Sequence, residues 1–548
     1  MPKTVNPTET LVIDNFRGTL TYFPFGDINS GRGDIRVNAG ANPFYRPGSL
    51  TWVEKVYQVD EAGSVITDLI MDGKERVEGG ILYVYAIGHT GRLYKIQVND
   101  PTTFNPDYDN PVLLATLSAQ SPTFTRGGFI DFYGATERIY IGHDKGITRI
   151  DFDGTNETFV GALGSYTQSV PRPLRQFVGK LYFGNGSNIG EIDTTATVTT
   201  YAKLSPAFPT NTQVRDIDFS IDGNYLEIVV SSLALGDITS ATQDTSITSA
   251  SNSYLFKWNG TDAGYTAFTH YPTFSLDANI TFQNYQYIFG RDQFGTGIFD
   301  PAFKFTQVPE TPMILPNAIA SSGNMLIYSA PLYFLGELWS QMYSWGPFDW
   351  EIGQPVGQWG LAIHHATSPE TDVVQVPFQR IISSNAIGAS SNGYANNQYG
   401  TSKVYFSCLE TSAAPTTRYR LYKWRMVTSP QIAASTITPP PIAEAPIYQT
   451  QTQMFSKKVT AKEVRIYSDP WTADNAFEIA LVGPDGEAIT GTVREFSTSD
   501  GTLTVGQDYA WYNPEAAPSY AIGLRFMNLG TKNHIINKVE VEYAEGGK

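Results

Sequence analysis

Cysteine, basic residues and long apolar runs are all scarce in this chain of 548 residues. Cys408 is the single cysteine, which excludes an internal disulfide and a cysteine-based zinc or iron–sulfur site. The sequence has no apolar run of the length that a transmembrane helix needs, so we expect no membrane span. Residues 1–16 have neither the basic nor the apolar region of a signal peptide, so we expect synthesis in the cytoplasm.

Basic residues are outnumbered by acidic ones, with 37 Lys and Arg against 53 Asp and Glu, which gives a net charge of −16. A protein that wraps nucleic acid neutralises phosphates with clustered Lys and Arg, and no such cluster is present. The charge therefore argues against nucleic-acid binding. It is compatible with DNA that slides past without adhering.

Helix-forming runs of Leu, Ala, Glu and Lys are also nearly absent. In their place the chain has 49 Gly, 33 Pro and an aromatic content of 13%. β-branched and aromatic residues favour strands, and frequent Gly and Pro favour the turns between them. The composition predicts an all-β protein.

A short phrase recurs in this composition: an aromatic-rich strand, a glycine turn and a second strand that ends near an isoleucine. Its four copies run over 81–96, 138–151, 180–193 and 286–299. The last step is about twice the others, so a degenerate copy is expected between, at Leu226–Val230 and Tyr254–Trp258. A β-rich repeat of about 40–55 residues is typical of a propeller blade.

The repeat predicts a β-propeller of about seven blades over residues 50–435, with an N-terminal arm over 1–49. The predicted blades lie near 50–100, 112–155, 157–196, 199–261, 265–303, 314–347 and 378–427. An insertion from Trp345 to Pro377 is expected between the last two. The first blade is expected to begin with the strand Leu50–Val59.

A proline-rich linker is predicted over 436–447, and it is followed by a different pattern over 448–548. Strands that alternate apolar and polar residues are expected near 462–467, 476–482, 490–496, 520–526 and 535–543, with a turn at 483–486. Short alternating strands over about 100 residues are typical of a jelly-roll-like β-sandwich.

Catalytic patterns and cofactor motifs are missing, so we predict no enzyme activity, no cofactor and no metal site. His89 and His143 occupy the same place in two repeats, but Asn185 and Arg291 hold that place in others, which favours a polar turn position over a metal ligand. His364 and His365 are adjacent on an expected strand and would face opposite sides. Asp151, Asp153 and Asn156 could supply calcium ligands, but a solvated hairpin turn is favoured.

Four of the nine tryptophans fall between residues 332 and 360: Trp339, Trp345, Trp350 and Trp359. They predict either core filling with a packed loop or a contact surface. A contact surface of this kind would suit a subunit interface or sugar stacking.

The ends of the chain carry a resemblance. Asp14-Asn15-Phe16-Arg17-Gly18, followed by Arg46-Pro47-Gly48, resembles the start of β-propeller tail proteins of tailed bacteriophages, although Thr19 stands where a second glycine is expected. Residues 449–458, 464–467 and 536–543 are similar to the small sandwich that ends many of them.

The resemblance implies a structural subunit of the virion tail, a hub, nozzle or adaptor, made in the host cytoplasm. It implies a ring of identical chains, a hexamer being one stoichiometry, around the path of the DNA and in contact with other tail proteins. Asp14, Asn15, Phe16, Arg46, Pro47 and Gly48 are the candidate assembly arm. The alternative is a tail module that binds or depolymerises host-surface glycan through the tryptophan-rich segment.

Overall fold

The computed structural model describes residues 8–14, 16, 35–39, 49–50, 52, 56–59, 65–98, 110–232, 252–271, 447–530 and 534–545, together with strands between 275 and 426. Within these residues the chain forms 39 β-strands, and a single 3-10 turn, Leu163–Ser165, is the only helical element. The all-β class is therefore confirmed. The described part of the chain contains no helix with the length and hydropathy to cross a membrane.

Three strands precede the repeats: β1 (Thr8–Ile13), β2 (Ile35–Ala39) and β3 (Val56–Gln58). The first three four-stranded antiparallel sheets then follow in chain order. They are β4 (Ile70–Glu78), β5 (Ile81–Gly88), β6 (Arg92–Gln97) and β7 (Asn110–Thr116); β8 (Phe129–Tyr133), β9 (Arg138–His143), β10 (Gly146–Ile150) and β11 (Thr158–Phe159); and β12 (Leu174–Phe177), β13 (Lys180–Gly184), β14 (Ile189–Ile192) and β15 (Val198–Thr200).

The next three sheets have the same order. They are β16 (Gln213–Phe219), β17 (Leu226–Ser231), β18 (Ser253–Trp258) and β19 (Ala267–Tyr271); β20 (Ser275–Phe282), β21 (Tyr285–Asp292), β22 (Gly295–Phe299) and β23 (Phe305–Gln307); and β24 (Ile319–Ser322), β25 (Met325–Phe334), β26 (Glu337–Trp345) and β29 (Gln358–Ala366). A small hairpin, β27 (Phe348–Asp349) and β28 (Gln354–Pro355), lies between β26 and β29 in the chain. The degenerate repeat is confirmed, because β17 pairs with β18.

The seventh sheet combines the two ends of the repeat region. It consists of β30 (Arg380–Asn385), β31 (Ser402–Leu409) and β32 (Tyr419–Met426), with β3 paired to the outside of β32. The first strands of the seven sheets adjoin one another in sequence, and β30 of the last sheet adjoins β4 of the first. The sheets therefore form a closed β-propeller, in which the outer strand of the last blade comes from the N-terminal side.

The prediction for the first blade was wrong. The strand expected over 50–59 does not join the first sheet: Leu50 pairs with Ile536, and Val56–Gln58 pairs with β32. The physical reason is closure of the propeller. A strand from the N-terminal side that completes the last blade joins the two ends of the repeat region and covers the free edge of β32. The first blade instead spans β4 to β7, about 20 residues later than expected at its start.

The predicted insertion between the sixth and seventh blades was wrong in part. Residues 358–366 form β29, which pairs along its length with β26 and completes the sixth sheet. The sequence of β29, QWGLAIHHA, has no clean alternation of apolar and polar residues, so its pattern did not identify it as a strand of the blade.

Apolar residues pack between the second and third blades and between the third and fourth blades. Strand β13, KLYFG, is buried from its second residue onward, which a strand with covered faces requires. The Tyr182 ring meets the Trp258 ring edge-on at 5.0 Å between centroids, and the Tyr182 hydroxyl donates to the Gly260 carbonyl at 2.6 Å. One tyrosine therefore fills the gap between two blades and satisfies its own polar atom.

The remaining strands form one nine-stranded sheet system. Its order is β1-β39-β34-β38-β33-β2, with β35, β36 and β37 as side branches: β33 (Ile447–Thr450), β34 (Gln453–Ser468), β35 (Ala476–Val482), β36 (Arg494–Ser497), β37 (Tyr509–Tyr512), β38 (Ser519–Asn528) and β39 (Ile536–Glu545). Buried residues from both branches, among them Val464, Val541, Ile479 and Leu524, share one core. The turn predicted at 483–486 is present, with the Gly486 N–H donating to the Gly483 carbonyl at 3.0 Å.

The segment predicted as an N-terminal arm contributes strands to this C-terminal sheet system. β1 pairs with β39 from Thr8↔Ala544 to Ile13↔Val539, and β2 pairs with β33. The Trp52 indole N–H donates to Nε2 of His534 at 3.0 Å. The C-terminal unit is therefore built from both ends of the chain, because β1 supplies the buried Leu11 and Ile13 that cover its core. The predicted linker over 436–447 lies outside the described residues except for its last position.

Candidate functional site

Aspartates recur on the first strands of the blades, which adjoin one another around the propeller. We call them the axial carboxylates: Asp72 on β4, Asp131 on β8, Asp216 and Asp218 on β16, and Asp277 on β20. Asp131, Asp216, Asp218 and Asp277 are buried. Burying a carboxylate is unfavourable unless it is hydrogen-bonded or paired, so their partners decide what they do.

Two of the axial carboxylates make the same pair of hydrogen bonds. Asp72 accepts from the Gly73 N–H of its own strand and from the Ile130 N–H of the next blade, each at 2.9 Å. Asp216 accepts in the same way from Ile217 and from Asn279. Each of these carboxylates therefore joins its own blade to the next.

A β-bulge explains this geometry. The register of β4 against β5 shifts between Ile70 and Asp72, and that of β16 against β17 shifts between Val214 and Asp216. An extra residue in the strand re-aims the side chain that follows, here toward the backbone of the neighbouring blade. The sequence reasoning missed both aspartates. The sequence pattern that they share is an apolar residue two positions before the aspartate, Ile70 before Asp72 and Val214 before Asp216.

Basic side chains partner two other axial carboxylates. Lys74 contacts Asp131, and Nη2 of Arg175 lies 2.7 Å from Oδ1 of Asp218 while its Nε donates to the Ile217 carbonyl at 3.0 Å. Burial, together with nearby Asp218, raises the pKa of Asp216 to about 7 against the opposing hydrogen bond from Asn279. These acids hold blades together, and they are too enclosed to form an open negative surface.

His143 is a structural residue. Its ring is buried, Nδ1 accepts from the Lys145 N–H at 3.3 Å, and Nε2 lies 3.1 Å from the Thr148 hydroxyl. Burial, with help from Arg172 and Lys145, lowers its pKa to about 3, so the ring is neutral. His143 therefore fixes a turn.

The equivalent His89 is also held at a turn. Its Nδ1 contacts Asp68 and accepts from the Leu69 N–H at 3.2 Å. Among the described residues no cluster of three His, Cys, Asp or Glu is arranged to hold a metal. His364 and His365 lie next to each other on β29, where successive residues face opposite sides of the sheet.

The segment considered for calcium forms a hydrogen-bonded turn. Asp153 Oδ1 accepts from the Thr155 N–H at 2.9 Å and from its hydroxyl at 2.6 Å. Asn156 donates to Asp151, which also pairs with Arg138 at 2.7 Å. Both oxygens of Asp151 and Oδ1 of Asp153 are thus engaged by residues of the turn and by Arg138 of β9.

Arg172 is a second residue that the sequence reasoning missed. It is fully buried and donates to four acceptors: the His143 carbonyl at 3.1 Å, the Gly184 carbonyl at 3.1 Å, Asn185 Oδ1 at 3.0 Å and the Thr167 carbonyl at 2.7 Å. A guanidinium has five fixed N–H donors, which suits such a junction between the second and third blades. Its sequence signal is an arginine between two prolines, Pro171 and Pro173.

The predicted aromatic platform is spread over the sixth sheet. Trp339 and Trp345 lie on β26 and Trp359 lies on β29; Trp339 is opposite His365, and Trp345 is opposite Gln358. Trp350 lies outside the described residues. Strand β29 also adjoins β2 of the C-terminal sheet system. The contact-surface role of these tryptophans stays a prediction.

The candidate assembly arm is described in part. Asp14 is exposed, and Phe16 is buried with its ring 5.8 Å from that of Tyr448. Asn15, Arg46, Pro47 and Gly48 lie outside the described residues. Phe16 therefore belongs to the core of the C-terminal unit.

No protein-family model matches the chain, and no curated protein sequence matches it. Among solved structures, the Dos1 propeller aligns over 74% of this chain and 95% of its own, with 11% identity and a TM-score of 0.35. A mitotic checkpoint complex chain aligns over 72% of this chain and 98% of its own, with 11% identity and a TM-score of 0.37.

Proposed function

We propose that this protein is a structural subunit of a bacteriophage tail, a hub, nozzle or adaptor, without catalytic activity of its own. Identical chains assemble into a ring, with a hexamer as the first stoichiometry to test, and contact other tail proteins. DNA passes along the axis of this ring without sequence-specific binding. The mature location is the virion tail, and the C-terminal unit is a jelly-roll-like sandwich.

One observation carries the proposal. The N-terminal and C-terminal sequence segments that resemble the tail-protein family lie far apart in sequence, yet they fold into one unit. β1, which leads into Asp14 and Phe16, pairs with β39, which contains the closing phrase, and Phe16 packs on Tyr448. Motifs that resemble one family at both ends and build a common core support a shared origin for the whole architecture.

The charge distribution favours a DNA path through the ring of subunits over a path through the propeller of each subunit. Because four of the five axial carboxylates, Asp131, Asp216, Asp218 and Asp277, are buried, they do not line a DNA path through the propeller. The path in this proposal runs through the ring of subunits, where the exposed acids of a chain with net charge −16 would repel phosphate.

The oligomeric state of the purified full-length chain tests the proposal. Native mass spectrometry and negative-stain images are expected to give a closed ring of one stoichiometry. In parallel, peptides of this chain should be found in purified particles of the phage that encodes it. A monomer at every concentration, combined with absence from particles, contradicts the structural role.

The alternative, a tail module that binds or depolymerises host-surface glycan, predicts a different result in its depolymerising form. Purified protein would shorten a capsular or cell-wall polysaccharide over time, measured as a fall in polymer mass. The proposal predicts no change in polymer mass. A depolymerised polysaccharide would replace the structural assignment with an enzymatic one.

A further inference from the structure

The C-terminal unit presents aromatic rings on the outer side of its β1-β39-β34-β37 branch. Along β37, buried Ala510 and Tyr512 alternate with exposed Tyr509 and Trp511. Trp511 is 54% exposed and Tyr509 is 37% exposed. Two exposed rings on one edge strand form a local aromatic patch, and exposed apolar patches mark interaction sites.

The neighbouring strand β34 extends this surface. Tyr467 is paired with Tyr509 across the strands, with 5.3 Å between ring centroids and 53° between ring planes. Arg465 is paired with Trp511 in the next row. We define the aromatic face as Tyr467, Tyr509 and Trp511 together with the charged residues beside them: Glu463, Arg465, Lys538, Glu540 and Glu542.

The charged residues of the aromatic face are held in place by one another. Arg465 Nε donates to Glu463 at 2.7 Å, and its Nη2 lies 3.3 Å from Glu542. The Tyr467 hydroxyl donates to Glu540 at 2.9 Å, and Lys538 donates to the other Glu540 oxygen at 2.8 Å. Both cations are paired, while carboxylate oxygens retain further lone pairs that can accept hydrogen bonds from a ligand.

Charge and size decide which ligand suits this face. Three carboxylates against two cations leave a local charge that repels a polyanion. A protein partner would have to desolvate five charged groups around only three rings, whereas a stable protein interface takes about 20–30 residues a side. A neutral, hydroxyl-rich ligand meets neither obstacle.

The positions of the two exposed rings also favour a carbohydrate ligand. Tyr509 and Trp511 are two residues apart on one strand, so their Cα atoms lie about 7 Å apart. The C–H groups on the face of a pyranose carry partial positive charge and suit the negative face of an aromatic ring. A polymer with sugar rings in line can stack on both side chains while its hydroxyls donate to the carboxylates.

We propose that the aromatic face of the C-terminal unit binds a neutral polysaccharide. This site lies on a different part of the chain from the tryptophan-rich segment of the sixth blade, and it is independent of ring assembly. Its occupant is an extended chain of uncharged pyranoses, bound without cleavage.

The test is affinity electrophoresis of the full-length protein in gels that contain one polysaccharide each: neutral glucan, neutral mannan, or anionic alginate. At least one neutral polymer should retard the protein, and alginate should not. Trp511→Ala should weaken the retarding interaction by about tenfold, and Tyr509→Ala should weaken it in the same direction. Tyr520→Ala, which removes a 50% exposed ring elsewhere on the same unit, is the matched control and should leave it unchanged.

Each other outcome overturns the proposal. Loss of retardation in Tyr520→Ala to the same degree would mean general damage or nonspecific adhesion. The proposal is contradicted if neither neutral polymer retards the protein. It is also contradicted if Trp511→Ala is retarded as strongly as the wild type. A change of oligomeric state in Trp511→Ala without any polysaccharide binding would assign the face to contacts between chains. Circular dichroism melting of each variant checks that it is folded.

Discussion

Asp216 accepts a hydrogen bond from the backbone N–H of Asn279, 2.9 Å from its Oδ2, and the two residues belong to neighbouring blades. Its other oxygen accepts from Ile217 at the same distance. Asp72 of the first blade, three blades before Asp216 in the chain, repeats the arrangement with Ile130 of the second blade. A backbone-to-carboxylate bond thus joins blades that share no strand pairing, which makes it a direct probe of how the propeller is held together.

Asp216→Ala should destabilise the propeller, because it leaves two buried N–H groups without their acceptor. We expect a loss of about 2 kcal/mol or more, since each unsatisfied buried donor costs about 1–3 kcal/mol. Hydrogen exchange should accelerate at Asn279, on the neighbouring blade. Glu137→Ala, which removes a half-exposed ion pair with Arg76, is the control and should change stability by about 1 kcal/mol or less. Unchanged exchange at Asn279 would contradict the inter-blade role.

Glu227, which is buried on β17, should make the chain less stable as the pH rises. Burial raises its pKa from 4.5 to about 7, so the folded chain keeps a proton that the unfolded chain has already lost between these values. The unfolded state is therefore favoured by about 1.4 kcal/mol for each pH unit in that window. Glu227→Gln cannot titrate, so its melting temperature relative to wild type should rise from pH 5 to pH 7 and then level off.

The comparison of wild type with Glu227→Gln is needed because His143 changes the pH dependence of stability in the opposite direction. Its pKa is lowered from 6.5 to about 3, so the unfolded state takes up a proton first and stability falls as the pH falls through that window. The difference between variant and wild type cancels this contribution. A difference that is constant from pH 5 to pH 8 would contradict the buried position of Glu227.

Arg172→Ala should be among the most damaging single substitutions in the described blades. It removes the Arg172 donor from the carbonyls of His143, Gly184 and Thr167 and leaves Asn185 Oδ1 with only its bond from the Thr167 N–H, so we expect a loss of about 3 kcal/mol or more. Arg172→Lys keeps the charge but has fewer donors and no planar fork, so an intermediate loss is expected. Lys457→Ala, an exposed cation paired with Glu545, is the control, and thermal melting is the measurement. Equal melting temperatures for the Arg172 and Lys457 variants would refute the buried junction.

Phe16→Ala should destabilise the C-terminal unit from the opposite end of the chain. Removing a buried phenylalanine costs about 3–5 kcal/mol, and the lost contact is with Tyr448. Amide exchange in β39 and β33 should accelerate while the first four blades keep wild-type protection. Val12→Ala, an exposed position on the adjoining strand, is the control. If exchange in β33 and β39 stays at wild-type rates, Phe16 does not belong to that core.

The sequence predicts the class of fold well and the connectivity poorly. The strands separated by glycine turns identify the blades because the period of a repeat is visible in the local sequence. The degenerate copy at β17 and β18 has the same period. The partners of Leu50, Val56–Gln58 and β1 depend on contacts hundreds of residues away, which local pattern does not encode. The same limit explains why Asp216 and Arg172 were missed: each acts through a backbone group of another blade.

The proposed role in a phage tail is tested most directly by cryo-electron microscopy of purified virions whose genome carries the gene for this chain. The account predicts a ring of several copies of this chain on the tail axis, each with a propeller and a C-terminal unit that contains both ends of the chain. Particles that lack the chain, or a map in which it occurs as isolated single copies away from the axis, would contradict the account.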